Sequence, residues 1–147
     1  MSNFSENLKE LLLEHNLSTR ELSRKINSSI GLISTYCLDK YRPTIPNIIK
    51  LADYFNCSTD YLLGVVDEDK SKTFNKNVVF DLDVFLKRYN ELKSDKSDYA
   101  VAKALGINNG VIANWKAGHM PNIDAIISLA DLFGTSVDYL IGRSNVR

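Results

Sequence analysis

Two cysteines and two histidines are the residues of this chain best suited to hold a metal or act as nucleophiles, and their spacing does not let them cooperate. Cys37 and Cys57 are too few for a disulfide framework or a four-ligand zinc site, and both lie in apolar stretches, which predicts buried, reduced packing residues. His15 and His119 have no partners at metal-ligand spacing. There is no glycine-rich phosphate loop, no HExxH and no serine or cysteine in an elbow motif, so catalysis, a cofactor, a metal and a small-molecule ligand are not expected. Asp67, Glu68 and Asp69 form an acidic run of the kind that solvates a linker. Eighteen basic and eighteen acidic side chains cancel, so net charge gives no support to nucleic-acid binding and leaves room for a local basic patch. Any function must come from arrangement.

The arrangement is a repeat. LADYFNCSTDYLLG, Leu51 to Gly64, returns as LADLFGTSVDYLIG, Leu129 to Gly142, with nine of fourteen positions identical. Pro43, Ile45, Ile48 and Ile49 meet Pro121, Ile123, Ile126 and Ile127 at the same spacing of 78. One residue further on, Leu22, Ile33 and Tyr36 meet Val101, Ile112 and Trp115. At 147 residues and 44% hydrophobic, the chain can bury two small cores. The expected organisation is a domain over residues 1–65, a polar linker over 66–80 and a second domain over 81–147. No apolar run approaches the roughly 20 residues of a membrane span. The N-terminal MSNFSENLKE lacks the apolar core of a secretory signal, so a soluble cytoplasmic protein is expected.

Within each copy the apolar period is helical. Phe4, Leu8, Leu11 and Leu12 make one stripe; Ser18, Thr19, Arg20 and Glu21 form a capping box that opens a second helix carrying Leu22 and Ile26. Ser29 is placed to cap a third helix through about Leu38, Thr44 a fourth along Ile45, Ile48, Ile49, Ala52 and Phe55, and Ser58 a short fifth ended by Gly64. The second copy repeats the plan over Val84–Leu92, Asp98–Leu105, Asn109–Ala117, Ile123–Phe133 and Val137–Ile141, with a turn at Gly106 and Ile107. No strand-like alternation stands out.

Two short helices joined by a tight turn, the second starting with small polar residues and carrying an aromatic on its apolar face, meet the demands of a helix-turn-helix. LSTRELSRKINSSIGLISTYCLDKYRPT, Leu17 to Thr44, and SDYAVAKALGINNGVIANWKAGHMPN, Ser97 to Asn122, resemble the Cro and phage-repressor type of helix-turn-helix regulators, the XRE-like family. The likeness rests on Leu22, Ile33, Tyr36 and Pro43 in the first copy and on Ala102, Leu105, Gly106, Ile112, Trp115, Gly118 and Pro121 in the second. It implies an all-α fold of two five-helix, lambda-repressor-like DNA-binding domains joined by a short polar linker. Its functional counterpart is a sequence-specific transcriptional regulator of bacterial or phage type, a repressor in the first instance, whose third helices read double-stranded DNA in the major groove.

Carried over by position, the family's DNA-facing residues are Ser29, Ile30, Gly31, Ser34 and Thr35 in the first copy, and Asn108, Asn109, Gly110, Ala113 and Asn114 in the second. Asn109 and Asn114 can pair bidentately with adenine N6 and N7. Ile30 and Gly31 can touch a thymine methyl or make room for the backbone, but offer no bidentate contact. Lys40 and Arg42, and Lys116 and His119, stand where phosphate contacts would fix register. Where the family often places a phosphate-binding glutamine, this chain has Thr19, which can serve, and Asp98, which would repel the phosphate.

Plainer readings stand beside these. Tyr36 and Trp115 fall one turn from Ile33 and Ile112 and read as core residues rather than base-stacking ones. Asn108 and Asn109 are also ordinary turn and capping residues, whereas Asn114 sits mid-helix, where propensity does not favour asparagine. Lys40, Arg42 and Lys116 are also readable as solvated charge. The tandem copies would let one chain cover two half-sites about 34–36 Å apart, on a non-palindromic site because the third helices differ. The alternative is that the second copy reads DNA while the first is a protein-interaction or dimerisation module, so a homodimer or a protein partner is left open. The chain runs five residues past Gly142, so no sensor or peptidase domain is expected to follow.

Overall fold

The computed structural model describes residues 3–69 and 73–147; of the stretch 66–80 read as linker, residues 70–72 lie outside the described residues. Polar caps start its helices and apolar stripes decide how they pack. α1 (Phe4–Glu14) opens at Asn3, whose side chain accepts from the Glu6 N–H at 3.0 Å, and lays Phe4, Leu8, Leu11 and Leu12 inward. α2 (Thr19–Lys25) has the full capping box: Glu21 N–H donates to Ser18 Oγ at 3.0 Å and Ser18 N–H to Glu21 Oε1 at 3.2 Å. α3 (Ile30–Cys37) differs from expectation, because Ser29 stands at its N-cap without making a side-chain cap bond. Across the turn, the buried Ser23 hydroxyl donates to Thr19 O within α2 at 2.8 Å and lies 3.5 Å from Ile30 O. α4 (Ile45–Phe55) and α5 (Thr59–Leu62) are capped by Thr44 and Ser58.

The second half repeats this order with α6 (Leu82–Lys93), α7 (Asp98–Leu105), α8 (Asn109–Lys116), α9 (Ile123–Phe133) and α10 (Val137–Leu140). Among the described residues there is no strand. The helices fall into two compact units, Met1–Lys72 and Thr73–Arg147, called units 1 and 2 below. Gly106, at φ 70°, ends α7 in the left-handed conformation and makes the tight turn into α8; unit 1 turns at Asn27, φ 56°.

Each core is closed around the third helix of its unit. In unit 1 the Tyr36 ring meets Phe4 edge-on at 5.4 Å and its hydroxyl accepts from Asn47 Nδ2 at 2.9 Å. In unit 2 Trp115 takes that place, with Phe85 at 5.6 Å and Tyr89 at 6.0 Å, both edge-on. Tyr36 and Trp115 are both 2% exposed, so they are core residues. Each unit also lashes its first helix to its last: Asn7 Nδ2 donates to Tyr61 O at 2.9 Å, and Arg88 to Tyr139 O. Cys57 is buried, but Cys37 is half-buried, because it lies at the end of α3 beyond the Ile33 and Tyr36 stripe.

Described residues of 66–80 make contacts within each unit. The Asp69 carboxylate accepts from Ser58 N–H at 3.3 Å. Phe74 lies against the Arg143 guanidinium, 4.1 Å from ring centroid to Cζ, Asn75 N–H donates to Arg143 O at 2.7 Å, and the Phe80 ring sits 6.1 Å from Phe85. Aromatic residues within a polar stretch thus pack on unit 2. No described helix is long and apolar enough to cross a membrane.

Candidate nucleic-acid interface

The turn between α7 and α8 presents one face of α8 to solvent while Ile112 and Trp115 anchor the opposite face. Asn109, Gly110, Ala113 and Asn114 are all exposed and lie together on that outer face. Asn108 works as a cap, its Oδ1 accepting from Gly110 N–H at 2.7 Å, so its side chain is already engaged. Asn109 and Asn114 have no side-chain hydrogen-bond partner among the described residues, which leaves both amides available for bidentate pairing with an adenine edge. A Cβ on Gly110 would come within 3.2 Å of Asn108 Oδ1, so glycine there keeps the cap tight.

Unit 1 brings the corresponding residues together with different chemistry. Ser29 and Gly31 are exposed and Ile30 is 59% exposed at the start of α3. A Cβ on Gly31 would meet nothing within 4 Å, so the fold does not itself require glycine there. Ser34 and Thr35 are half-buried: the Ser34 hydroxyl donates to Thr19 Oγ1 at 3.4 Å and the Thr35 hydroxyl to Leu32 O at 2.6 Å. Thr19 is therefore tied to α3 rather than standing apart from it. Lys40 and Arg42 follow α3 in an exposed loop.

His119 follows α8 and is exposed, whereas Lys116, the other side chain expected on phosphate, is paired inside the protein. Its ammonium donates to Asp98 Oδ2, the carboxylate at the first residue of α7. Asp98 Oδ1 accepts from the Tyr89 hydroxyl at 2.8 Å and lies 3.9 Å from Lys93 Nζ. Burial opposes the charge on Asp98, yet hydrogen bonds from Lys116 and Tyr89 and the charges of Lys116 and Lys93 hold its carboxyl below the ordinary carboxylate range. Burial, and then the hydrogen bond and charge of Asp98, push the Tyr89 phenol above its ordinary value. The group is thus an ionised carboxylate held by a neutral phenol and two ammonium groups. Nothing in sequence order pointed to Tyr89 and Lys93 here, beyond the placement of Tyr89 on the inner stripe of α6.

No group of three or more histidine, cysteine or carboxylate side chains among the described residues could hold a metal. The helix-turn-helix family description, HTH_3, fits the chain twice, over residues 8–62 and 86–140. An uncharacterized HTH-type transcriptional regulator of Bacillus subtilis (strain 168), YobD, is 27% identical over 75 residues, which make up 51% of this chain and 67% of that protein. The crystal structure of a transcriptional regulator from Listeria innocua is 28% identical, with a TM-score of 0.41, covering 81% of this chain and 96% of that one. The two matched segments span α1 to α5 and α6 to α10 almost completely. The chain belongs to the helix-turn-helix family of the Cro and C1 type and carries two copies of its fold.

Proposed function

We propose that this chain is a sequence-specific regulator of transcription that binds double-stranded DNA, with α8 of unit 2 as the principal reader in the major groove. The observation that supports this most directly is the pair of exposed, unengaged amides of Asn109 and Asn114 on the outer face of a helix anchored by Trp115. The reading as a repressor, acting on DNA in a bacterial cytoplasm, follows the resemblance to the Cro and phage-repressor type. With two units in one chain, tethering raises overall affinity through effective concentration. Selection of bound duplexes from a random library, at stated salt, tests the reading. The whole chain should enrich a bipartite, non-palindromic site. Asn109→Ala and Asn114→Ala should each relax one A·T position by about 1–3 kcal/mol. Unchanged base preferences in both variants would remove the asparagines from readout, and a strictly palindromic optimum bound by two chains would remove the tandem arrangement.

A second reading of unit 1 has its own support. Ile30, Leu38 and Tyr41 are 59%, 64% and 65% exposed around α3, an apolar outer face that suits protein contact better than phosphate. Changing Lys40 and Arg42 together to glutamine separates the readings. If both touch phosphate, the salt slope of DNA binding flattens by about 2. If slope and affinity stay put while oligomeric state changes, unit 1 is an interaction module.

A further inference from the structure

A cation at the end of α8 is neutralised before DNA arrives. Lys116 closes α8 two residues after Asn114, and its ammonium sits on Asp98. That carboxylate is fixed from behind by the Tyr89 hydroxyl at 2.8 Å, with Lys93 at 3.9 Å. Lys116 and Asp98 side chains are 44% and 28% exposed, so the pair lies where solvent and ions reach it. Unit 1 has no such pair: the same places hold Thr19 and Cys37, both uncharged. A phosphate approaching Lys116 therefore meets a competing anion of the same charge, held in place by a second helix.

Resting on the DNA-binding reading above, we propose that Asp98 is an affinity brake on unit 2, occupying the phosphate-binding capacity of Lys116 so that DNA gains little from this lysine. In the free protein the pair is closed. On DNA, Lys116 stays on Asp98 and contributes no phosphate contact. That removes about one phosphate contact from the electrostatic attraction.

The test is DNA binding by the full chain across a salt series, with Asp98→Asn, Lys116→Gln and the double variant. Asparagine keeps an oxygen for the Tyr89 hydroxyl while removing the charge. Asp98→Asn should bind tighter, by about tenfold near 0.1 M salt, with a slope steeper by about 0.9. Adding Lys116→Gln should return both to the starting values. Lys116→Gln alone should leave the slope nearly unchanged. A slope loss of about 0.9 from Lys116→Gln alone would show the lysine already on phosphate and overturn the proposal, whether or not Asp98→Asn folds. Equal or weaker binding by a folded Asp98→Asn protein would overturn it too. Failure of all four proteins to hold DNA even at low salt would overturn the DNA-binding reading, and the brake with it.

Discussion

Asp138→Ala is expected to destabilise unit 2 by about 3–5 kcal/mol. The cause is the charge it leaves behind rather than the contact it removes. Arg143 is 0% exposed, with Nη1 3.1 Å from Asp138 Oδ1, and losing that carboxylate takes the opposing charge away from a buried guanidinium that keeps its desolvation cost. Typical domains are stable by only about 5–15 kcal/mol, so about a fifth or more of unit 2's stability is at stake. Trp115 is the only tryptophan in the chain, so its emission during urea unfolding reports on this unit alone. At about 1 kcal/mol/M for a unit this small, the midpoint should fall by roughly 3–5 M, or the folded baseline should disappear. A matched pair of apolar replacements, Asp138→Leu with Arg143→Met, should recover most of the loss. A midpoint that barely moves in Asp138→Ala would refute the account.

Trp115→Ala should cost a similar amount, about 3–5 kcal/mol, and should also release α8. The indole is 2% exposed and fills the space between Phe85 and Tyr89, so truncation leaves a cavity that two aromatic rings cannot both collapse into. Far-UV circular dichroism replaces fluorescence here. Its unfolding curve should lose unit 2's transition to lower urea while unit 1's stays, and a common shift of both would contradict two separately closed cores. Trp115→Tyr is the instructive intermediate. Unit 1 satisfies its Tyr36 hydroxyl with Asn47, but Ala125 stands at the matching place in α9, so the new hydroxyl would be buried without that donor.

The helices were legible because their causes are local. The Ser18 and Glu21 capping box, the caps at Thr44 and Ser58 and the stop at Gly106 lie within a few residues of the ends they set, and the apolar stripes recur every turn. The repeat then placed Ile112 and Trp115 beside Ile33 and Tyr36 without any distance information. What stayed hidden is non-local or a matter of degree. Lys116 reads as a phosphate cation until α7 and α8 pack and bring it onto Asp98, 18 residues away. The tie from α6 to Tyr139 O needs Arg88, 51 residues earlier. Ser29 has the right type for a cap and the right position, yet its side chain makes no cap bond.

The bond between Asn75 N–H and Arg143 O brings the backbone near the start of unit 2 within 2.7 Å of the backbone just past α10. A module whose entrance and exit are neighbours can be moved as a block: its ends can be joined and new ones opened in an exposed loop, or it can be spliced into a loop of a host protein without stretching either partner. The same closure sets the boundary for dissection. A cut placed before Phe74 carries the whole clasp with unit 2, whereas one at residue 81 discards Phe74, Asn75 and Phe80 and unzips the C-terminal segment from its own beginning.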